Sequence, residues 1–161
     1  MSLETRVSIA EAEQLVKEAF LRNGVKEAVA ESVSKALVAA EAEGQVGHGF
    51  SRVKDYLAQV KSKKINVDAK IKIESPKPTS ISIDADYGFA YPALDQAISE
   101  GALIAKEYGS AIVSIFNSHH CGALSVQVEK IAKQGLIGVM MANTPKACLL
   151  YTSPSPRDRY G

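Results

Sequence analysis

The sequence has no long apolar run and few cysteines, and both absences limit what the protein can be. No stretch of its 161 residues approaches the roughly 20 consecutive apolar residues that span a bilayer. The first ten residues contain no continuous apolar segment of the kind found in secretory signals. Two cysteines, Cys121 and Cys148, cannot form a disulfide framework. We therefore expect a cytoplasmic protein that does not enter a membrane.

An excess of charge of one sign is also absent, since 19 basic and 18 acidic residues give a formal net charge of +1. A dedicated nucleic-acid-binding protein carries a strong excess of lysine and arginine on one face. The single basic cluster, Lys61, Lys63 and Lys64, follows a predicted helix, where cations complement the helix dipole more readily than they bind phosphates. We therefore expect no nucleic-acid partner.

The sequence also lacks a Gly-x-Gly-x-x-Gly motif after any predicted strand, so a Rossmann dinucleotide-binding domain is not supported. The first third of the chain instead has helical periodicity. A capping box at Ser8 and Glu11 predicts a helix that presents Leu15, Val16, Ala19 and Phe20 on one face and ends near Gly24. Two more helices are predicted over residues 26–43 and 50–61, with a glycine-rich turn at 44–49 between them.

Alternating and continuous apolar runs predict strands further along the chain. Strict alternation over residues 65–73 and again over 80–84, with a turn at 75–78, predicts an antiparallel pair. A helix is predicted over 93–108. Short apolar runs at 111–116 and 136–142 flank a helix at 124–134 and predict a parallel βαβ crossover. The expected fold class is therefore α/β, with N-terminal helices followed by a mixed sheet that contains a βαβ unit.

Two loops follow the predicted buried strands, where open α/β sheets bind their ligands. They are residues 117–122, which include His119, His120 and Cys121, and residues 143–146, which include Asn143 and Thr144. Histidine has an ordinary pKa near 6.5 and suits proton transfer at neutral pH. A surface loop can also carry histidines without a function, and for this pair both interpretations stay open.

The third histidine, His48, lies four residues before Arg52, next to the predicted start of a helix. A guanidinium beside the amide donors of a helix N-terminus suits a carboxylate ligand. On spacing alone, an ion pair between Arg52 and a surface acid such as Asp55 is favoured.

Two other chemistries are possible in the loop of residues 117–122. A metal site from His119, His120 and Cys121 is disfavoured because adjacent residues can rarely all reach one ion. Cys121 could act as a nucleophile beside His120, but the sequence shows no third group to orient the pair.

At these residues the sequence resembles the malate/L-lactate dehydrogenase family, which includes ureidoglycolate, sulfolactate and diketogulonate oxidoreductases. The resemblance extends from about Ile9 to Ala147. The segments that carry it are residues 118–125, 128–132, 135–138 and 143–147, together with Gly47-His48-Gly49, Arg52 and Tyr56.

The resemblance implies a non-Rossmann α/β fold, a homodimer, and reversible oxidation of a small 2-hydroxy acid with NAD or NADP. It implies that His120 transfers the proton and that His48 and Arg52 contact the substrate, with Arg52 holding its carboxylate. Thr144, and less strongly Asn143, match positions that touch the cofactor. Most of the cofactor site is expected further along the chain.

The chain departs from the family pattern in two places. Gly47 stands where many members have serine, and residues 42–49 are most similar to the sulfolactate dehydrogenase branch. After Ala147 the resemblance stops, and residues 148–158 resemble translated adapter DNA. We therefore expect residues 1–147 to be the N-terminal part of a truncated dehydrogenase-like domain and residues 148–161 to be an artefactual tail. This predicts a chain that is inactive by itself; the alternative function is a non-catalytic carboxylate-binding domain.

Overall fold

The computed structural model of the protein describes residues 6–143. Along the chain, three helices come before a mixed sheet, as the sequence predicted. Thr144, Pro145, Lys146, Cys148 and the predicted tail lie outside the described residues. The elements are α1 (Ile9–Leu21), α2 (Glu27–Ala42), a single 3₁₀ turn (Val46–His48), α3 (Ser51–Lys61), β1 (Lys72–Lys77), β2 (Ser80–Asp84), α4 (Ala90–Tyr108), β3 (Ile112–Phe116) and α5 (Leu124–Ala132).

Helix α1 begins with the predicted capping box. The Ser8 hydroxyl accepts from the Glu11 backbone N–H at 3.2 Å, and the Glu11 carboxylate accepts from the Ser8 N–H at 2.9 Å. The buried stripe repeats every four residues and consists of Ala12, Val16 and Phe20. The sequence predicted Leu15 on this buried face, but its side chain is 60% exposed because the buried stripe runs through the neighbouring position, Val16.

The sheet has the order β1-β2-β3, with β1 antiparallel and β3 parallel to β2. Helix α4 connects the parallel pair, so β2, α4 and β3 form the βαβ unit. The face of the sheet that carries Ile81 and Ile83 packs against Ala93 and Ala97 of α4. A Cβ atom added at Gly101 of α4 would lie 3.1 Å from the Val113 side chain, so this glycine permits close contact between helix and sheet.

The predicted crossover through α5 to a strand at 136–142 is wrong for this structure. Those residues form no strand, although alternate positions from 136 to 140 are half-buried. Met140 packs against the core, whereas Ile137 is 99% exposed. An apolar run becomes a strand only when a neighbouring strand pairs with its backbone, and among residues 6–143 no strand pairs with this segment.

The first strand also begins later than its alternation predicted, at Lys72 rather than at residue 65. Ile65 is buried in the helical core instead of in the sheet. Pro76, which we had placed in a turn, lies within β1, where the register with β2 shifts. An edge strand tolerates proline because one side of its backbone has no partner.

The largest cluster of buried side chains joins the helices to the start of α4. It contains Phe20 and Leu37 from the helices, and also Tyr56, Phe89 and Tyr91. The rings of Phe20 and Phe89 meet edge to face, with centroids 5.7 Å apart. This cluster holds the helical half of the molecule against the sheet. None of the helices within residues 6–143 has both the length and the apolarity that a membrane crossing requires.

We predict that replacing Phe20 by Ala lowers the free energy of unfolding by about 3–5 kcal/mol, because it leaves a cavity between α1 and Phe89. Urea denaturation measures the loss. Leu15→Ala on the same helix removes an exposed side chain and should cost less than about 0.5 kcal/mol. Equal losses in the two variants would show that the helical core does not depend on Phe20.

Candidate functional site

The loop that follows β3 is held against the turn between β2 and α4 by backbone hydrogen bonds. The Tyr87 N–H donates to the Asn117 carbonyl at 2.6 Å, and the His119 N–H donates to the Gly88 carbonyl at 3.1 Å. Asn117 adopts a φ of 50°, a conformation that asparagine tolerates better than most residues. These contacts fix the positions from which His119 and His120 project.

His120 is bound to the aromatic core through its Nδ1 atom. This atom lies 2.7 Å from the hydroxyl oxygen of Tyr56, which in turn lies 3.0 Å from the hydroxyl oxygen of Tyr91. The backbone N–H of Gly122 also donates to Nδ1, at 3.3 Å. Both tyrosines are almost fully buried, with 1% and 2% exposure, so the ring of His120 has a fixed orientation.

His48 stacks on His120, with ring centroids 5.4 Å apart and an interplanar angle of 6°. The turn that carries His48 passes close to α2. A Cβ atom at Gly49 would collide with Glu41, whose carboxylate accepts the Phe50 N–H at 2.8 Å. Glycine at position 49 is therefore required for His48 to reach His120.

Arg52 lies in the first turn of α3, close enough for its charge to act on both imidazoles. We call the group of His48, Arg52 and His120 the crevice. Its Nε donates to the Gly47 carbonyl at 2.6 Å, and its Nη1 lies 3.8 Å from a carboxylate oxygen of Asp55. The pairing with Asp55 that spacing favoured is therefore present, but it is long, and most guanidinium donors have no partner among residues 6–143. The side chain is 35% exposed, so an anion can reach it.

The charges around the crevice keep its histidines neutral. Burial, followed by the positive charge of Arg52, lowers the pKa of His120 to about 4, and His48 and His119 contribute in the same direction. Burial and Arg52 likewise lower the pKa of His48. The fixed positive charge of the crevice therefore belongs to Arg52, with two neutral imidazoles beside it, an arrangement suited to a carboxylate next to a polar carbon centre.

The other side chains of the loop take different directions. His119 bonds through Nε2 to the Gln59 side chain at 2.6 Å, and so points towards α3 rather than sharing a ligand with His120. Burial raises the pKa of the Cys121 thiol, which opposes formation of the nucleophilic thiolate. Residues 6–143 contain no group of three or more histidine, cysteine or acidic side chains that could hold a metal ion.

Of the two predicted cofactor residues, Asn143 is exposed at the end of the described chain and Thr144 lies outside it. The structure therefore brings together His120, His48 and Arg52. It adds Tyr91, which the sequence analysis missed. A tyrosine within an apolar helical stretch was the available signal, because a buried phenol requires a hydrogen-bond partner.

Comparison with known proteins agrees with the fold. The sequence profile described as malate/L-lactate dehydrogenase matches residues 7–157. The chain belongs to this family. Its helices, mixed sheet and βαβ unit are those of a family member, and the chain is shorter than its relatives.

Two curated relatives and one solved structure illustrate the relationship. A (2R)-3-sulfolactate dehydrogenase (NADP(+)) from Chromohalobacter salexigens is 37% identical over 141 residues, which are 88% of this chain and 42% of that protein. A Delta(1)-pyrroline-2-carboxylate/Delta(1)-piperideine-2-carboxylate reductase from Pseudomonas putida is 32% identical over 89% of this chain and 42% of the relative. The crystal structure of delta1-piperideine-2-carboxylate reductase from Pseudomonas syringae superposes with a TM-score of 0.79 at 32% identity, covering 82% of this chain and 40% of the other. The chain thus spans about two fifths of the length of these relatives.

We predict that His120 makes the stability of the protein depend on pH. Its pKa in the folded protein is lowered to about 4 from 6.5, so the unfolded chain takes up the proton first as the pH falls. Its contribution to stability is therefore complete above pH 6.5 and is lost as the pH falls towards 4.

Urea midpoints at pH 7 and at pH 4.5 measure this loss. The variant His120→Gln, which cannot titrate, should lose less stability between the two values than the native protein does. The same loss in both proteins would mean that His120 titrates normally in the folded state.

Proposed function

We propose that this chain carries the substrate-binding and proton-transfer residues of an oxidoreductase that interconverts a small 2-hydroxy acid and its 2-oxo acid. The observation that carries the proposal is the crevice itself: two stacked neutral imidazoles and one guanidinium, with the ring of His120 fixed from behind by Tyr56. The proposal includes the homodimer that the family resemblance implies and the cytoplasmic location that the sequence predicts.

Arg52 would bind the carboxylate of the substrate. Its Nε is held by the Gly47 carbonyl, which fixes the planar group while its terminal N–H donors remain able to form the two parallel hydrogen bonds that a carboxylate prefers. His48 lies beside it with a buried Nδ1 atom that has no hydrogen-bond partner among residues 6–143. Since an unsatisfied buried polar atom is costly, a polar substrate group is the natural partner for this site.

His120 would exchange the proton of the reaction. On oxidation, the substrate hydroxyl would give its proton to Nε2 of a neutral His120 that carries its own proton on Nδ1, and the hydride would leave for NAD or NADP. The imidazolium would return the proton on reduction. The neighbouring positive charge of Arg52 makes that imidazolium short-lived. A proton transfer of this kind contributes about 10²–10⁴-fold to the rate.

The residues described here do not form a dinucleotide site. Asn143 is exposed, Thr144 lies outside the described residues, and no glycine-rich phosphate loop follows β2 or β3. NAD or NADP as the hydride carrier is therefore supported by the family and by the NADP(+) in the name of the Chromohalobacter relative. We assign no residue of this chain to a step through the cofactor.

The proposed substrates share a carboxylate next to the carbon that is oxidised or reduced. The sulfolactate relative supports a 2-hydroxy acid with a second anionic group. Gly47, which gives no hydroxyl to the crevice, leaves room for such a group. A second candidate is reduction of a cyclic 2-imino acid, because the Pseudomonas relatives are named for that reaction. Both substrates present the same carboxylate to Arg52.

We predict that Arg52→Lys weakens binding of 3-sulfolactate or L-lactate to this chain about tenfold, because lysine cannot make the two parallel hydrogen bonds. Isothermal titration calorimetry without cofactor measures this. The control is Arg22→Lys, whose side chain is paired with Glu18 on the far surface and 80% exposed. Binding that is equal in the two variants would remove Arg52 from the site.

We predict that the 161-residue chain alone oxidises no NADPH with 2-oxo acids, and that a hybrid does so when residues 6–143 are continued by the matching C-terminal part of the Pseudomonas syringae reductase. In that hybrid, His120→Gln should lower kcat by about 10²–10⁴-fold. The neighbouring His119→Gln should lower it far less. Circular dichroism checks that each hybrid is folded.

Two results would contradict this proposal. Turnover of the hybrid that survives His120→Gln would remove His120 from the proton transfer. A folded hybrid that binds the acid but never oxidises NADPH would support the alternative, a non-catalytic carboxylate-binding domain.

A further inference from the structure

We propose that Tyr91 and Tyr56 form a directed hydrogen-bond chain that decides which nitrogen of neutral His120 carries the proton. Both tyrosines are then positioning residues, and Tyr91 acts without touching His120. The inference rests on the proposed function of His120, and it adds the direction in which the resting site is prepared to bind.

The argument begins with Gly122. A backbone N–H can only donate a hydrogen bond, and the Gly122 N–H points at Nδ1 of His120 at 3.3 Å. A neutral imidazole has one nitrogen that donates and one that accepts. Nδ1 must therefore be the acceptor, and the proton of the neutral ring lies on Nε2.

The tyrosine pair supports the same assignment. If Nδ1 accepts, the Tyr56 hydroxyl donates to it and the Tyr91 hydroxyl donates to Tyr56. Both hydroxyl protons then have acceptors. In the reversed arrangement Nδ1–H donates to Tyr56 and Tyr56 donates to Tyr91, so the Tyr91 O–H has no acceptor among residues 6–143. The Gly122 N–H would face another N–H as well, so reversal leaves two donors unsatisfied where desolvation makes that costly.

The two phenols keep their protons over the working range of pH. Burial raises the pKa of Tyr56 to about 12. Burial, reinforced by Tyr56, also raises the pKa of Tyr91. The chain therefore always contains two hydroxyl protons, and only its direction can change.

The consequence concerns the crevice. Nε2 of His120 has no hydrogen-bond partner among the described residues and carries the proton, so it presents a donor to the substrate. A 2-oxo acid offers an acceptor oxygen and matches this donor directly. A 2-hydroxy acid can give its proton to Nε2 only after the chain has reversed, so the resting site is prepared to bind the 2-oxo acid.

Other groups that face His120 do not change this reasoning. Arg52 from α3, His48 from the 3₁₀ turn and His119 from the same loop all disfavour the imidazolium. The Cys121 thiol, also in the loop, has a raised pKa and stays neutral. All four are retained in the variants that test the tyrosines.

The test is a nitrogen–proton long-range correlation spectrum of the ¹⁵N-labelled chain, recorded across pH without substrate or cofactor. At pH 7, native His120 should show an unprotonated Nδ1 and a protonated Nε2. Tyr91→Phe removes the donor that polarises the Tyr56 hydroxyl, so the Nδ1 resonance of His120 should move part of the way towards that of a nitrogen without a hydroxyl donor. Tyr56→Phe should shift the Nδ1 resonance to that of a nitrogen without a hydroxyl donor. Tyr108→Phe changes an exposed phenol at the end of α4 and should leave His120 unaltered.

A native ring protonated at Nδ1 would overturn the proposal, and so would a Tyr91→Phe protein whose Nδ1 resonance equals the native one. If Tyr91→Phe does not fold, the native spectrum and Tyr56→Phe decide. Failure of the proposed function is a separate result, because an inactive hybrid with the expected spectrum leaves the tautomer assignment intact.

Discussion

The hydrogen bond between Tyr56 and Nδ1 of His120 joins the two halves of this structure. Tyr56 belongs to α3 and is buried in the helical core, whereas His120 lies in the loop that follows β3. The edge-to-face contact of Tyr56 with Phe89, with centroids 5.8 Å apart, ties the same residue to the start of α4. Helices, sheet and loop must therefore all be in place before His120 can stack on His48. The site can therefore form only when the hydrogen bond between Tyr56 and His120 is made.

The elements that the sequence predicted well are those in which local signals agree with the fold. The Ser8 capping box and the alternation of β2 each depend on neighbours close in the chain, or on burial that the pattern itself encodes. The apolar run of β3 predicted the strand correctly but its burial wrongly, because Ile112 is 73% exposed and Phe116 48% exposed on this edge strand. The prediction of a strand at 136–142 was wrong because apolar residues indicate a preference for burial and do not show that a pairing strand is present. The start of β1 failed because alternation could not tell packing against helices from packing in a sheet, as Ile65 shows.

The residues of the site also divide into those that local sequence signals predicted and those that they did not. Of its three predicted residues, His48 and His120 lie beside glycines in a turn and a loop, and Arg52 lies in the first turn of α3. Residue type and position were enough to select them. The distances between them could not be read from the sequence, because residues 48, 52 and 120 come together only when α3 packs against the loop after β3. Tyr91 was missed because a buried tyrosine resembles an ordinary apolar residue until its hydroxyl partner is known. The cofactor residues could not be judged, because Thr144 lies beyond the described residues.

The neutrality of the histidines connects the electrostatics of the crevice to its choice of substrate. Arg52 supplies a permanent positive charge that attracts a carboxylate and at the same time disfavours a second cation nearby. A neutral His120 that presents Nε2–H can hydrogen-bond either a ketone oxygen or an unprotonated imine nitrogen. The relatives named for hydroxy acids and those named for cyclic imino acids differ in that atom but share the carboxylate beside it. In the proposed function, one arrangement of Arg52 and His120 would therefore serve both classes, and selection between them would fall to the groups around the rest of the substrate, where Gly47 leaves space.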